Sequence, residues 1–105
     1  MMEKLIRDGK VGVLYSPGYG AGWYSWNSSN YGEELLFDPM LVDLIENEKF
    51  DEARSYVTLR FPEAYDGGLE DLQVEWIPVG TAFRIHEYDG NESIEIKEDM
   101  DWVVS

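Results

Sequence analysis

Two Asp-Gly pairs, Asp8-Gly9 and Asp89-Gly90, stand between apolar or alternating runs near the two ends of this chain. Asp-Gly in that setting is the strongest short-range hairpin signal, because the favoured two-residue turn needs a positive φ at both central residues. The first pair joins Lys4-Leu5-Ile6-Arg7 to Lys10-Val11-Gly12-Val13-Leu14-Tyr15. The strand 10–15 is apolar on both sides at its end, which predicts burial on both faces. The second pair joins Ala82–Tyr88, which alternates, to a return strand at Ser93–Lys97. Leu72-Gln73-Val74-Glu75-Trp76 alternates as well, so 72–97 reads as a three-stranded antiparallel meander. Asp101–Val104 is expected to add a last short strand.

The middle of the chain is helical. Asp38-Pro39 is a helix start, with Asp as N-cap and Pro at the first helical position. Met40, Leu41, Leu44 and Ile45 mark an apolar face through about Glu48. Phe50, Ala53, Val57 and Phe61 predict a second helix from about Asp51 to Arg60, closed by Pro62. Glu33–Phe37 is expected as a short strand. Strands, then helices, then strands imply an α+β fold: an antiparallel sheet of about five strands with two short helices on one face. With 105 residues and neither repeat nor linker, the chain reads as a single domain.

The charge is unevenly placed. Of the 22 acids and 8 bases, residues 1–32 hold two acids and three bases, and 33–105 hold the other twenty and five. The first third is therefore near neutral at +1, while the rest carries −15, for a net charge of −14 overall. Direct nucleic-acid binding needs clustered Lys and Arg, which are absent, and an anionic membrane would repel the chain. A basic protein would be attracted. There is no cysteine, so thiolate nucleophiles, disulfides and zinc–thiolate sites are excluded. Without a visible signal peptide or a long apolar run, the expected location is cytoplasmic.

In the near-neutral third, the segment Tyr15–Gly32 holds six of the fifteen aromatics beside four glycines and several Ser and Asn residues. Tyr and Trp supply large contact area with few rotors, and Gly, Ser and Asn supply adaptable hydrogen bonds. Tyr15, Tyr19, Trp23, Tyr24, Trp26 and Tyr31 are the candidate contact residues, expected on an irregular loop or a broken strand. The plain alternative is that Trp23 and Trp26 cap the core and the glycines serve turns. Asp43, Glu46, Asp51 and Glu52 lie off the helical apolar faces and are expected to join Glu70, Asp71, Glu75, Glu87, Glu92 and Glu95 of the meander in an anionic surface resembling a phosphate array, the plain alternative being an ordinary solvated face.

Other chemistries find little support. Gly18-Tyr19-Gly20-Ala21-Gly22 follows a strand, but a dinucleotide loop needs a helix directly after it, and Trp-Tyr-Ser-Trp-Asn-Ser-Ser is a poor start. His86 is the only histidine, a poor basis for a metal site, and reads as an ordinary strand residue. The Asp89–Glu92 turn lacks calcium-loop spacing. No nucleophile elbow surrounds Ser25, Ser28 or Ser29. No catalytic residue, metal or cofactor is assigned.

Leu14–Trp23 and Gly80–Ser93 carry a resemblance to a group of small acidic proteins of bacteria and their phages that spans most of the chain. The resemblance implies a phage or prophage setting, in which such proteins inhibit host defence or host nucleic-acid enzymes, acting in the host cytoplasm. The expectation is a non-enzymatic acidic binding protein engaging a basic, nucleic-acid-handling protein, with homo-oligomerisation left open. The alternative is a small-ligand binder that sequesters a nucleotide through the Gly/aromatic segment 15–32, with Lys4, Arg7, Lys10 and Arg84 as its cations.

Overall fold

In the computed structural model, residues 3–18, 20 and 22–96 are described. Tyr19, Lys97 and the expected strand 101–104 lie outside them. Both Asp-Gly turns form as the sequence requires. Asp8 and Gly9 take φ of 51° and 75°, and Asp89 and Gly90 take 52° and 85°. The first turn pairs β1 (Ile6–Arg7) with β2 (Lys10–Tyr15), and the second pairs β4 (Phe83–Tyr88) with β5 (Asn91–Ile96).

β3 (Gln73–Pro78) does not join β4. It runs antiparallel along the whole of β2, from Lys10 opposite Pro78 to Tyr15 opposite Gln73. The expected single sheet of five strands is therefore two sheets, β1-β2-β3 and β4-β5. The break lies after Pro78. Val79 N–H donates to Gly9 O, and Thr81 N–H to Pro78 O, so the backbone that a β3–β4 hairpin would need is already engaged.

As the sequence predicts, β2 is buried on both faces. Val11 and Val13 on one side pack with Ile77, with Leu36 and Phe37, and with Phe83, Ile85, Ile94 and Ile96 of the β4–β5 hairpin. Leu14 on the other side packs with the helices, beside Val74 and Trp76 of β3. Gly12 lets α3 (Pro39–Glu46) approach this face: a Cβ there would stand 2.7 Å from Val42 Cγ1 and 3.2 Å from the Trp76 ring. The three-stranded sheet thus has the helical residues Val42, Ala53 and Val57 on one side, and the hairpin together with Leu36 and Phe37 on the other.

The Asp38-Pro39 start holds. Asp38 accepts a hydrogen bond from Leu41 N–H at 3.0 Å, and Pro39 begins α3. α4 (Phe50–Arg60) buries Ala53 and Val57, with Phe61 just beyond. Tyr56 of α4 donates its hydroxyl to the Asp38 carboxylate, 2.8 Å from Oδ2, tying the two helices together.

There are four α-helices among the described residues, not two. α1 (Tyr24–Tyr31) forms where an irregular segment was expected, and α2 (Glu34–Phe37) where a short strand was expected. A three-residue apolar run does not distinguish strand from helix by period. Here Leu35 joins the helix-side core while Leu36 and Phe37 join the hairpin-side core, a divergence that a helical turn provides. Gly32, at φ 65°, ends α1 and lets the chain turn into α2.

Candidate functional site

α1 has no apolar stripe and no side chain of its own capping its start. Its N-terminus is held from across the molecule by Glu92 of β5, which is 1% exposed. Glu92 Oε1 accepts Ser16 N–H at 2.8 Å. Oε2 accepts Trp23 N–H at 2.9 Å, Ser25 N–H at 2.8 Å and Ser25 Oγ–H at 2.7 Å. Glu92 N–H in turn donates to Ser16 O at 2.7 Å. A buried carboxylate persists only when its lone pairs are matched by donors, and four donors meet that need here. Helix N-termini favour negative charge, so the placement also suits α1.

This hub sets the positions of the aromatics. Trp23 is 1% exposed, donates its indole N–H to Leu35 O at 2.8 Å and meets Phe61 edge-on. It is a core residue and not the exposed contact residue the sequence suggested. Its ring fills the space between α1, α2 and the end of α4. Glu92 likewise leaves the expected anionic surface, because its charge is directed inward to the N–H groups of the loop. Tyr24 and Tyr31 are half-buried against the same core. Tyr15 is half-buried and donates its hydroxyl to Gln73 Oε1 at 3.0 Å. Burial first, and the Glu75 charge second, push the Tyr15 phenol above its ordinary value.

Trp26 is different: it remains 42% exposed. Its ring lies 5.3 Å from that of Tyr65, tilted by 44°, and Tyr65 is 48% exposed. Its Nε1–H points to Glu87 Oε2 at 3.3 Å, and the same oxygen accepts Gly90 N–H at 2.7 Å. Asn27, buried in α1, donates Nδ2–H to Tyr65 O at 3.0 Å and accepts Tyr65 N–H at 2.7 Å. Tyr65, Asn27, Ser16 and Ser25 build this part of the surface without standing out in the sequence, where only the Asn/Ser richness of 25–30 points to Ser25 and Asn27.

The meander carboxylates do not form one surface. Glu95 bonds Arg84 at 2.8 Å across the hairpin, Glu87 serves Trp26, and Glu75 is exposed on β3. Asp43 pairs with Arg7 at 3.2 Å. The remaining arginines are also matched, Arg54 with Asp66 at 3.0 Å and Arg60 with Glu34. Lys4 lies 4.3 Å above the Phe37 ring. These cations are dispersed and do not converge on the loop 16–23.

Negative charge gathers elsewhere. A groove of about 570 Å³ is lined by Glu46, Glu48, Glu70 and Asp71 together with Phe50, Leu72 and Val74, with no Lys or Arg among its described lining residues. Pro17 and Gly18 form one wall. Gly18 lets the Asp71 carboxylate lie close, since a Cβ would stand 2.7 Å from Asp71 Oδ2 and displace that side chain. Thus the loop and the groove adjoin, but the groove's acids come from the C-terminal end of α3, the turn that follows it and the 3₁₀ turn Leu69–Asp71, so Glu70 and Asp71 stand apart from the strand acids expected beside them.

His86 is exposed on β4 opposite Ser93. Among the described residues no group of His, Asp and Glu is disposed to hold a metal ion, and no helix is long and apolar enough to cross a membrane. No family model, curated protein or solved structure matches the chain.

Proposed function

We propose that this chain is a non-enzymatic acidic binding protein whose partner is a basic protein, of the phage-type inhibitor class that engages a nucleic-acid-handling enzyme. One observation supports the reading: four carboxylates line a groove with no basic residue among its described lining residues, while all four arginines are paired with acids elsewhere. Unmatched charges of one sign in a concave site focus their field and raise the capture rate of an oppositely charged partner. The apolar lining residues suit the aliphatic stems of Lys and Arg, which pack on apolar surface while their heads reach the rim.

The nucleotide reading is less well supported. The N–H groups of Ser16, Trp23 and Ser25 could have cradled a phosphate, but the Glu92 carboxylate occupies them. An incoming phosphate would have to displace a buried anion in a protein of net charge −14.

Affinity capture from a bacterial lysate at low and high salt tests the proposal. The expected result is a basic protein recovered at low salt and released at high salt. An acidic partner, or one retained regardless of salt, would contradict it. A thermal-shift series with nucleotides separates the two readings. A true ligand at a hundred times its Kd adds about 2.7 kcal/mol of stability, and no shift is expected.

A further inference from the structure

The chain of contacts that begins at Glu92 ends in a built aromatic surface. Glu92 fixes the start of α1, Asn27 of α1 fixes the backbone of Tyr65, and Tyr65 packs on Trp26. Glycines make room for both rings. At Gly22 a Cβ would stand 2.7 Å from Trp26 Cδ1, and at Gly67 it would overlap the Tyr65 phenol. Yet both rings stay 42% and 48% exposed. Glu87 lies at the indole edge, with Oε2 engaged by Trp26 Nε1–H and Gly90 N–H.

We propose that Trp26, Tyr65 and Glu87 form a seat for one arginine side chain of the basic partner. The proposal rests on the reading above and names the chemistry of one contact within it. A guanidinium is planar and weakly hydrated, stacks on aromatic faces, and directs N–H groups sideways toward a carboxylate. Two exposed rings beside a carboxylate offer both halves of that recognition. A lysine ammonium, compact and strongly hydrated, would use the charge but not the stack. The chain's own Arg54 does not compete for the seat, since Asp66 holds it at 3.0 Å. Glu92 and Asn27 act through the rings as positioning residues.

The test is fluorescence anisotropy with the whole protein and three labelled peptides of equal length. One is rich in arginine, one carries lysine in its place, and one carries neutral citrulline. Wild type is expected to bind the arginine peptide about tenfold more tightly than the citrulline one, within the range of a cation–π contact plus a charge-assisted hydrogen bond. Trp26→Ala and Glu87→Gln should each remove most of that preference with the melting temperature nearly unchanged. Tyr65→Phe should keep it. If Trp26→Ala fails to fold, Glu87→Gln and Tyr65→Ala read the same contact. Equal affinity for the lysine peptide would overturn the guanidinium assignment. Salt-sensitive arginine-peptide binding left intact in Trp26→Ala and Glu87→Gln would overturn the seat while the acidic-binder reading stands. Failure of wild type to bind any basic peptide would overturn both.

Discussion

Trp23 and Trp26 sit three positions apart in near-identical sequence surroundings and have opposite environments, 1% and 42% exposed. The difference comes from what each indole N–H can reach. Trp23 finds Leu35 O inside the fold, and Trp26 finds Glu87 at the surface. Trp23→Ala is expected to cost about 3–5 kcal/mol, as large core truncations do. Trp26→Ala should stay within about 1 kcal/mol, because its contacts are partly solvated. Urea denaturation of the two variants checks both values. Glu92 is the most demanding side chain. Glu92→Gln keeps the volume but swaps an acceptor oxygen for an NH₂ group that faces other donors. The expected loss is about 3 kcal/mol, as for other buried charged groups that lose their hydrogen-bonded match. The same denaturation series measures it, and faster amide exchange at Ser16, Trp23 and Ser25 would localise the cause.

At the scale of elements, the two hairpin turns, the Asp38-Pro39 helix start and the 3.6-residue pattern of α4 are legible in the sequence because each is dictated locally. Glycine or aspartate at positive φ, an N-cap and a periodic face need no knowledge of the rest of the chain. α1 is not legible, since its N-terminus is satisfied by a carboxylate sixty-seven positions beyond Ser25. The crossing from β3 to the hairpin layer is hidden for a similar reason: the pairing of Gly9 with Val79 is non-local. The candidate site was half visible. The aromatic density pointed to Trp26, but the Tyr65 and Asn27 that build its surface carry no periodic signal. Gly12→Ala tests the packing of α3 on β2, and overpacking against Val42 and Trp76 should destabilise by about 1–3 kcal/mol in thermal melts. The α3–α4 tie predicts an alkaline limit. Burial, then the Asp38 hydrogen bond and charge, push Tyr56 up to about 12 from its ordinary 10.0. The unfolded chain therefore releases this proton first, and stability is full below pH 10 and falls as pH rises toward 12. Tyr56→Phe should flatten that fall and cost about 1 kcal/mol at neutral pH, where the hydrogen bond to the buried Asp38 carboxylate is lost.

At the scale of the whole molecule, the unequal charge distribution acquires a location. The paired arginines neutralise acids on several elements, each a surface contact worth at most about 1 kcal/mol. The groove of Glu46, Glu48, Glu70 and Asp71 has no arginine among its described lining residues and adjoins a loop that Glu92 holds in place. Electrostatic matching of this kind governs association rate and partner choice more than final affinity. The most direct measurement is the affinity of a basic peptide as a function of salt, for wild type and for a variant carrying Glu46→Gln, Glu48→Gln, Glu70→Gln and Asp71→Asn together. Wild-type affinity should fall steeply between low and physiological salt, with a much shallower fall in the variant. Equal salt dependence in the two proteins, or binding indifferent to salt in both, would contradict recognition through this groove.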